Sequence, residues 1–221
     1  MRDWLTGQGW FDLHQARLAP PDGYDSHWSR LVDAGLAGLF LILRLGVDPA
    51  MAERLMRAWW PLLWLLPTMA GTAAIAWRIA GREAATVALL LGLVGVPAYQ
   101  QFTPGRVDHH NIMIAFTVLA AAAVAWSDRK RWAAAAAGAL SGFAPAIGLE
   151  CLPYLMACGG ALALRYVVGR DAAPALRDYG LALAAALVIG FAADVGPGRW
   201  AISQCDAMAI NGLAAGVAGG L

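Results

Sequence analysis

Charged residues are scarce in this sequence. Asp, Glu, Lys and Arg make up 14% of the 221 residues, whereas 60% belong to the hydrophobic class. A soluble domain usually has about a quarter charged residues. Lysine is nearly absent, since Lys130 is its sole example. Because this number of charges is too small to cover a water-facing surface, we expect most of the surface to face a lipid bilayer. The net charge of +1 gives no indication of a nucleic-acid partner.

Cysteine is also rare. The chain has three cysteines, at 151, 158 and 205, and none of them forms a Cys-x-x-Cys motif. An odd number without that spacing argues against both a disulfide framework and a zinc knuckle. Cys151 and Cys158 lie in an apolar run, so we expect them to be packing residues.

Long apolar stretches, by contrast, are frequent. A membrane-spanning helix needs about 20 apolar residues, and the sequence predicts an all-α fold, a polytopic bundle of about six transmembrane helices. The predicted spans are Trp59–Trp77, Ala84–Gln101, His110–Ser127, Trp132–Leu149, Cys151–Val168 and Tyr179–Ala193. The tail Ala207–Leu221 is apolar and resembles the start of an unfinished further helix.

The basic residues predict the orientation of this bundle. They fall into the clusters Arg78/Arg82, Arg129/Lys130/Arg131 and Arg165/Arg170/Arg177. With six spans, all three clusters lie on one side, which the positive-inside rule makes the cytoplasmic side of an inner membrane. The later connections on the other side have only Arg106 and Arg199.

The predicted domains follow from this orientation. Residues 1–57 form an extracytoplasmic arm, in which Leu31–Val47 is an interfacial or half-inserted helix. Residues 58–221 form the multi-pass bundle. If Leu31–Val47 crosses the membrane instead, residues 1–30 move to the cytoplasmic side and the later loops keep their assignment.

The stretch Gln100–Asn111 holds the candidate chemistry. Pro104-Gly105 is a turn signal between two apolar spans, so Asp108, His109 and His110 are expected at the mouth of the next helix. A carboxylate beside imidazoles is a plausible half-site for a divalent ion such as Mn²⁺. The alternative is an interfacial polar cap, in which Asp108 caps the helix. Glu150, at a membrane boundary, is interpreted as structural.

These features together resemble the N-terminal membrane part of GT-C glycosyltransferases. The arm, the short apolar helix and the two spans precede a turn that reads Gly-Arg-Val-Asp-His-His. The stretch Tyr99–His110 resembles the second acidic motif of the oligosaccharyltransferase catalytic subunit in its archaeal and bacterial single-subunit forms. The resemblance covers roughly residues 1–195, and the Asp-His-His turn is its specific part.

The resemblance implies a transferase that uses Mn²⁺ or Mg²⁺ and a polyprenyl-linked sugar donor on the extracytoplasmic face. Asp108 and His110 match the metal ligands of the motif, and His109 is an adjacent group that would support them. The metal would offset developing negative charge. Arg106 and Arg199 are candidates to pair with donor phosphate, because both lie on that side of the membrane.

The sequence also departs from the family. Relatives have an essential Asp just before the position of Arg2, many have Arg where this chain has Gln101, and the soluble C-terminal domain with its Trp-Trp-Asp motif is absent here. We therefore expect a truncated chain, and Asp12 is the candidate replacement for the missing acidic ligand.

Two other classes of function remain open. A non-catalytic scaffold or accessory subunit of a cell-envelope complex fits the Ala- and Gly-rich helices, which permit close packing. A transporter fits less well, because coupling sites usually lie near the middle of the membrane and the centres of these spans hold almost no charge.

Overall fold

The computed structural model describes residues 1–95, 100–169 and 172–221. Within these residues almost all regular structure is helical, and the one sheet is the antiparallel pair β1 (His14–Gln15) and β2 (Tyr24–Asp25). The prediction of an all-α fold is confirmed. The helices are α1 (Arg2–Leu5), α2 (Arg30–Leu43), α3 (Pro49–Val94), α4 (His110–Trp126), α5 (Arg131–Phe143), α6 (Leu152–Val168), α7 (Ala173–Asp194) and α8 (Ile210–Gly220). Short 3₁₀ turns lie at Gln100–Phe102, Ala144–Ala146 and Pro197–Arg199.

Helix α3 is a hairpin of two helical halves. Gly81 interrupts it with φ 87° and ψ −175°, in a region of backbone space that only glycine adopts readily. Met69 Cε lies 4.0 Å from the position a Cβ on Gly92 would take. These two residues would be about 35 Å apart in a straight helix, so the two halves must fold back on each other. The predicted spans Trp59–Trp77 and Ala84–Gln101 correspond to these halves.

The other predicted spans differ from the helices mainly at their ends. The predicted span Trp132–Leu149 is α5 followed by a 3₁₀ turn that contains Pro145, which has no backbone N–H to extend the helical bonding. The predicted helix Leu31–Val47 is one turn shorter at its C-terminal end, and the predicted domain boundary at 57/58 falls inside α3, which begins after Asp48. Part of the predicted span Ala84–Gln101, Tyr99 of the compared motif and Arg170 of a basic cluster lie outside the described residues.

Two of the described helices are long and apolar enough to cross a membrane. They are Pro49–Gly92, taken as one element across its break, and Ala173–Asp194. Helices α4 and α6 are apolar but shorter, at 17 residues each. The prediction of six spans therefore stays a prediction, while the presence of apolar helices of spanning length is a property of the structure.

Helices α5 and α7 pack at backbone distance. A Cβ on Gly138 would lie 2.1 Å from the carbonyl oxygen of Tyr179, and a Cβ on Gly142 would lie 2.3 Å from that of Leu183. Both pairs are four residues apart, so one face of each helix is in contact over at least one turn. This Gly-x-x-x-Gly spacing is the small-residue contact that allows helices to approach closely.

Arg30 fixes the N-terminal arm, residues 1–29, against the rest of the chain. Its side chain is 2% exposed and contacts Asp33, the side chain of Gln8 and the carbonyl oxygens of Trp10 and Asp12. The arm also reaches the end of α7, because Trp10 Nε1 donates to the carbonyl of Ala193 at 2.7 Å. The arm is thereby held across one end of the helices, and this is the end where α4 begins.

Candidate functional site

The turn before α4 is held firmly. Gly105 has φ 99° and donates its backbone N–H to the carbonyl of Arg57 at 2.9 Å, which ties the turn to α3. Asn111 is fully buried, and its Nδ2 donates to the carbonyl of Arg106 at 3.0 Å. These bonds place residues 108–110 at the start of α4, as the sequence predicts.

Asp108 makes short contacts inside this turn. Its carboxylate lies 3.0 Å from Arg106 Nε, accepts from the backbone N–H of His110 at 3.2 Å, and lies 3.4 Å from His110 Nδ1. His109 occupies the N-cap position of this helix without a side-chain bond, so the contact of Asp108 with the backbone N–H is a local variant of the cap considered as the alternative to a metal site. His110 Nδ1 is buried and has no hydrogen-bond partner among the described residues, so its 3.4 Å contact with Asp108 is not a hydrogen bond. Asp108 therefore supports the start of α4 and leaves His110 Nδ1 able to bind a ligand.

His109, His110 and Glu150 form a cluster of possible metal ligands. One ligand atom of each lies within 4.8 Å of the others. His109 Nε2 is 3.1 Å from Glu150 Oε1, and the two imidazole rings stack with centroids 4.3 Å apart. The structure thus brings His109 and His110 together with Glu150, a residue that the sequence had indicated to be structural.

Glu150 is positioned by a tight approach at Gly148. A Cβ on Gly148 would lie 2.7 Å from Glu150 Oε2 and 3.0 Å from His109 Cδ2. Partial burial acts to raise the pKa of Glu150, but its own backbone N–H, the hydrogen bond with His109 and the charge of both histidines outweigh that effect. The pKa of Glu150 is therefore below its ordinary value, so the carboxylate is ionised near neutral pH and able to bind a cation.

The larger of two cavities lies beneath the arm. It has a volume of about 710 Å³, and residues 107–110 form one wall. The remaining walls come from the arm, α2 and the start of α3. Its charged side chains are Arg2, Arg17, Arg30, Arg57, Asp3, Asp33, Glu53 and Asp108. The formal charges of these arginines and carboxylates balance, so a bound divalent cation would make the cavity positive.

The smaller cavity adjoins it, at about 410 Å³. Trp28, Ser29 and His109 line both cavities, so His109 stands at their junction. The smaller cavity is otherwise enclosed by residues 145–150, by the end of α7 and by residues 206–208. Its ionisable side chains are His27, His109, Glu150, Asp194 and Asp206.

Three predicted site residues lie away from the cluster. Asp12 accepts from the backbone N–H of His14 at 3.0 Å, and it is not among the described residues that line either cavity. Arg199 is exposed on a 3₁₀ turn and is absent from both linings as well. Arg106 contacts Asp108 and donates to Gln101 at 2.7 Å, so its guanidinium is engaged within the turn.

The contact between Glu150 and His109 is not predicted by the sequence. The available signal was an ionisable side chain at the end of an apolar run, directly after Gly148-Leu149. Membrane-boundary carboxylates are functional candidates by default, but no sequence pattern relates residue 150 to residue 109. The pairing becomes visible once α4 and the segment before α6 are placed side by side.

Comparison with known proteins gives no further identification: no family model, curated protein or solved structure matches the chain.

Proposed function

We propose that this protein is a metal-dependent, multi-pass inner-membrane glycosyltransferase of the GT-C type, or the N-terminal part of one. It takes a sugar from a polyprenyl phosphate or pyrophosphate on the extracytoplasmic face. One observation carries the proposal: two histidines of a cluster of possible metal ligands line the same cavity as a group of arginines, and Glu150, the third member, faces the adjoining cavity.

The chemistry of the cluster fits a divalent ion. Two ligand atoms about 2.0–2.2 Å from one ion lie roughly 3 to 3.5 Å apart, and His109 Nε2 and Glu150 Oε1 are 3.1 Å apart. Imidazole nitrogen with carboxylate oxygen suits Mn²⁺ better than Mg²⁺, which prefers oxygen alone. We assign His109, His110 and Glu150 as the ligands, with the carboxylate of Asp108 close beside His110. When bound, the ion would offset negative charge on the phosphate.

The arginines of the larger cavity support binding of the donor phosphate. Arg2 and Arg57 both contact the same oxygen of Glu53, Oε1. Two guanidinium groups therefore share one carboxylate, which leaves positive charge in excess at this point. Guanidinium groups bind phosphate through paired, charge-assisted hydrogen bonds. We therefore assign the phosphate to Arg2 and Arg57, in place of Arg106 and Arg199.

The apolar exterior supports the membrane assignment. Only 6% of the most apolar window of Pro49–Gly92 is buried, and large side chains such as Leu66, Ile79 and Leu91 are more than 60% exposed. Apolar surface of this extent requires a membrane or a partner to cover it. The three basic clusters indicate that the arm and both cavities face the extracytoplasmic side.

The test is a donor-consumption assay on the purified protein in proteoliposomes. A lipid extract from bacterial membranes supplies mixed polyprenyl-linked sugars, and mass spectrometry follows each of them with Mn²⁺ or with EDTA. We expect one donor to be consumed in the presence of Mn²⁺ and not in the presence of EDTA. The variant Arg57→Gln should consume this donor more slowly than the wild type. Arg54→Gln is the matched control, since Arg54 is exposed on the same helix and is not among the cavity-lining residues. Absence of metal-dependent consumption of any donor would contradict the proposal.

A non-catalytic scaffold is the second candidate. The capping contact of Asp108 with the backbone of His110 favours it, because that contact gives the motif a purely structural use. A scaffold predicts that Asp108→Ala and His110→Ala change the stability of the fold but leave Mn²⁺ binding undetectable in every form of the protein.

A further inference from the structure

We infer that the smaller cavity binds the acceptor of the transfer reaction, and that this acceptor is a carbohydrate. The inference rests on the proposed function. It is carried by the meeting of two chemically different cavities at His109, Trp28 and Ser29.

The charge of the lining disfavours an anionic ligand. Glu150, Asp194 and Asp206 are the acidic side chains of this cavity, and neither Lys nor Arg occurs among its described lining residues. With Glu150 assigned to the metal ion, Asp194 and Asp206 remain to accept hydrogen bonds, which ionised carboxylates cannot donate. The cavity therefore favours a ligand with hydroxyl donors over phosphates and carboxylates. The larger cavity differs, since four arginines and four carboxylates line it.

Two further features favour a sugar. Trp28 is 63% exposed and lines both cavities, so its indole face is available to an apolar ring surface. Asp194 Oδ1 is buried and has no hydrogen-bond partner among the described residues, so this carboxylate has accepting capacity to spare. A volume of about 410 Å³ lies within the range of about 300–1,000 Å³ of small-molecule sites. Small-molecule sites combine an aromatic wall with a few convergent polar groups, and a sugar matches both.

The position of the cavity assigns the roles. A ligand there lies beside His109 and Glu150, while the phosphate site at Arg2 and Arg57 lies in the larger cavity, which His109 and His110 also line. The acceptor hydroxyl and the anomeric carbon of the donor would then meet at the junction. In the transfer, the bond from that carbon to the phosphate oxygen breaks and a bond to the acceptor oxygen forms. The phosphate leaves with the electron pair, and the hydroxyl proton is released.

The test is saturation-transfer NMR on the full chain in a detergent without a sugar headgroup. The probes are the methyl glycosides of glucose, galactose, mannose and N-acetylglucosamine. Methyl glucuronide serves as the anionic partner of the glucose probe. We expect transfer to at least one neutral glycoside and none to the glucuronide. The lipid-linked form of the bound sugar is then added as a competitor of the methyl glycoside. This competition distinguishes an acceptor that is attached to a lipid from a free sugar.

The variants locate the binding. Asp206→Asn and Asp194→Asn should each weaken glycoside binding about tenfold or more, as expected for loss of a hydrogen bond to a charged group. Asp22→Asn, in the exposed arm and outside both linings, should leave it unchanged. Asp206 is exposed, so this variant keeps the test valid if Asp194→Asn does not fold.

Two results overturn the inference: no transfer to any of the four neutral glycosides, or equal binding in the wild type and Asp206→Asn. Mn²⁺ binding, measured on the same samples, separates this inference from the proposed function. A protein that binds Mn²⁺ but no glycoside contradicts the acceptor site alone, whereas one that binds glycosides but no Mn²⁺ contradicts the metal site.

Discussion

His109 Nε2 and Glu150 Oε1 lie 3.1 Å apart although 41 residues separate them in the sequence. This contact joins the start of α4 to the segment before α6, and it lies where the two cavities meet. A cation, a phosphate and an acceptor could all reach this point. The account of function therefore depends on how these two side chains are held.

Two variants of Asp108 distinguish a metal-binding role of the motif from a capping role. Asp108→Asn retains an oxygen that can accept from the backbone N–H of His110, whereas Asp108→Ala does not. We expect both variants to weaken Mn²⁺ binding about 10- to 100-fold, because the cluster loses the negative charge that Asp108 holds 3.4 Å from His110 Nδ1. Only Asp108→Ala should also destabilise the fold, by about 1 kcal/mol.

The checks are Mn²⁺ titration for the first effect and thermal unfolding in detergent for the second. Equal Mn²⁺ affinity in the wild type and both variants would leave Asp108 with a capping role alone.

Gly148 should be intolerant of a side chain. Gly148→Ala places a Cβ within 3.0 Å of His109, Glu150 and Met113, so the cluster must shift. Overpacking of this kind costs about 1–3 kcal/mol, and we expect Mn²⁺ affinity to fall with it. Gly160→Ala is the matched control, because nothing lies within 4 Å of its Cβ position. Titration of Mn²⁺ into both variants is the measurement, and equal affinities would show that Gly148 is not needed for the cluster.

The contact between α5 and α7 should depend on Gly138. Gly138→Ala brings a Cβ to 2.1 Å from the backbone oxygen of Tyr179, so the helices must separate. We expect a loss of about 1–3 kcal/mol in stability, seen as a lower melting temperature in detergent. Gly38→Ala, in α2 with open space around its Cβ position, should leave the melting temperature unchanged or raise it slightly. A melting temperature for Gly138→Ala equal to that of the wild type would argue against close packing of α5 and α7.

Arg30 should determine whether the arm stays in place. Arg30→Met removes the ion pair with Asp33 and leaves the carbonyls of Trp10 and Asp12 without this donor. Asp33 keeps its ion pair with the amino group of Met1, so the expected cost is that of lost hydrogen bonds to a charged group, about 1.5–3 kcal/mol, and the arm should become open to proteases. Limited proteolysis followed by mass spectrometry measures this, with exposed Arg54→Met as the control. Cleavage of the arm at equal rates in both variants would contradict this role for Arg30.

Part of the architecture is predictable from the sequence because hydrophobic runs specify helices directly. The run that became α7 and the turn at Pro104-Gly105 follow from apolar length and from turn chemistry. Helix ends were less predictable, since Pro145 ends α5 inside an uninterrupted apolar stretch. The hairpin at Gly81 needed the structure to show how the two predicted spans sit against each other.

The sequence predicts the local part of the candidate site but not the residues that come from other segments. The local motif Asp108-His109-His110 is visible as consecutive letters, and its position at a helix start follows from the turn before it. The division of roles within it is not visible, because ring orientation depends on tertiary contacts such as that of His109 with Glu150. Glu150 comes from a distant segment, and the arginines of the larger cavity come from the arm, α2 and α3. Tertiary packing alone brings these groups together.

The proposed function requires that His109, His110 and Glu150 bind one divalent metal ion. Electron paramagnetic resonance of Mn²⁺ titrated into the purified protein measures this binding, because free Mn²⁺ gives a strong signal that is lost on binding. We predict one Mn²⁺ per chain in the wild type, at least tenfold weaker binding in Glu150→Gln and in His109→Ala (about 1.4 kcal/mol or more), and no change in His14→Ala. Absence of a bound Mn²⁺ in the wild type, or equal affinity in all four proteins, would contradict the account.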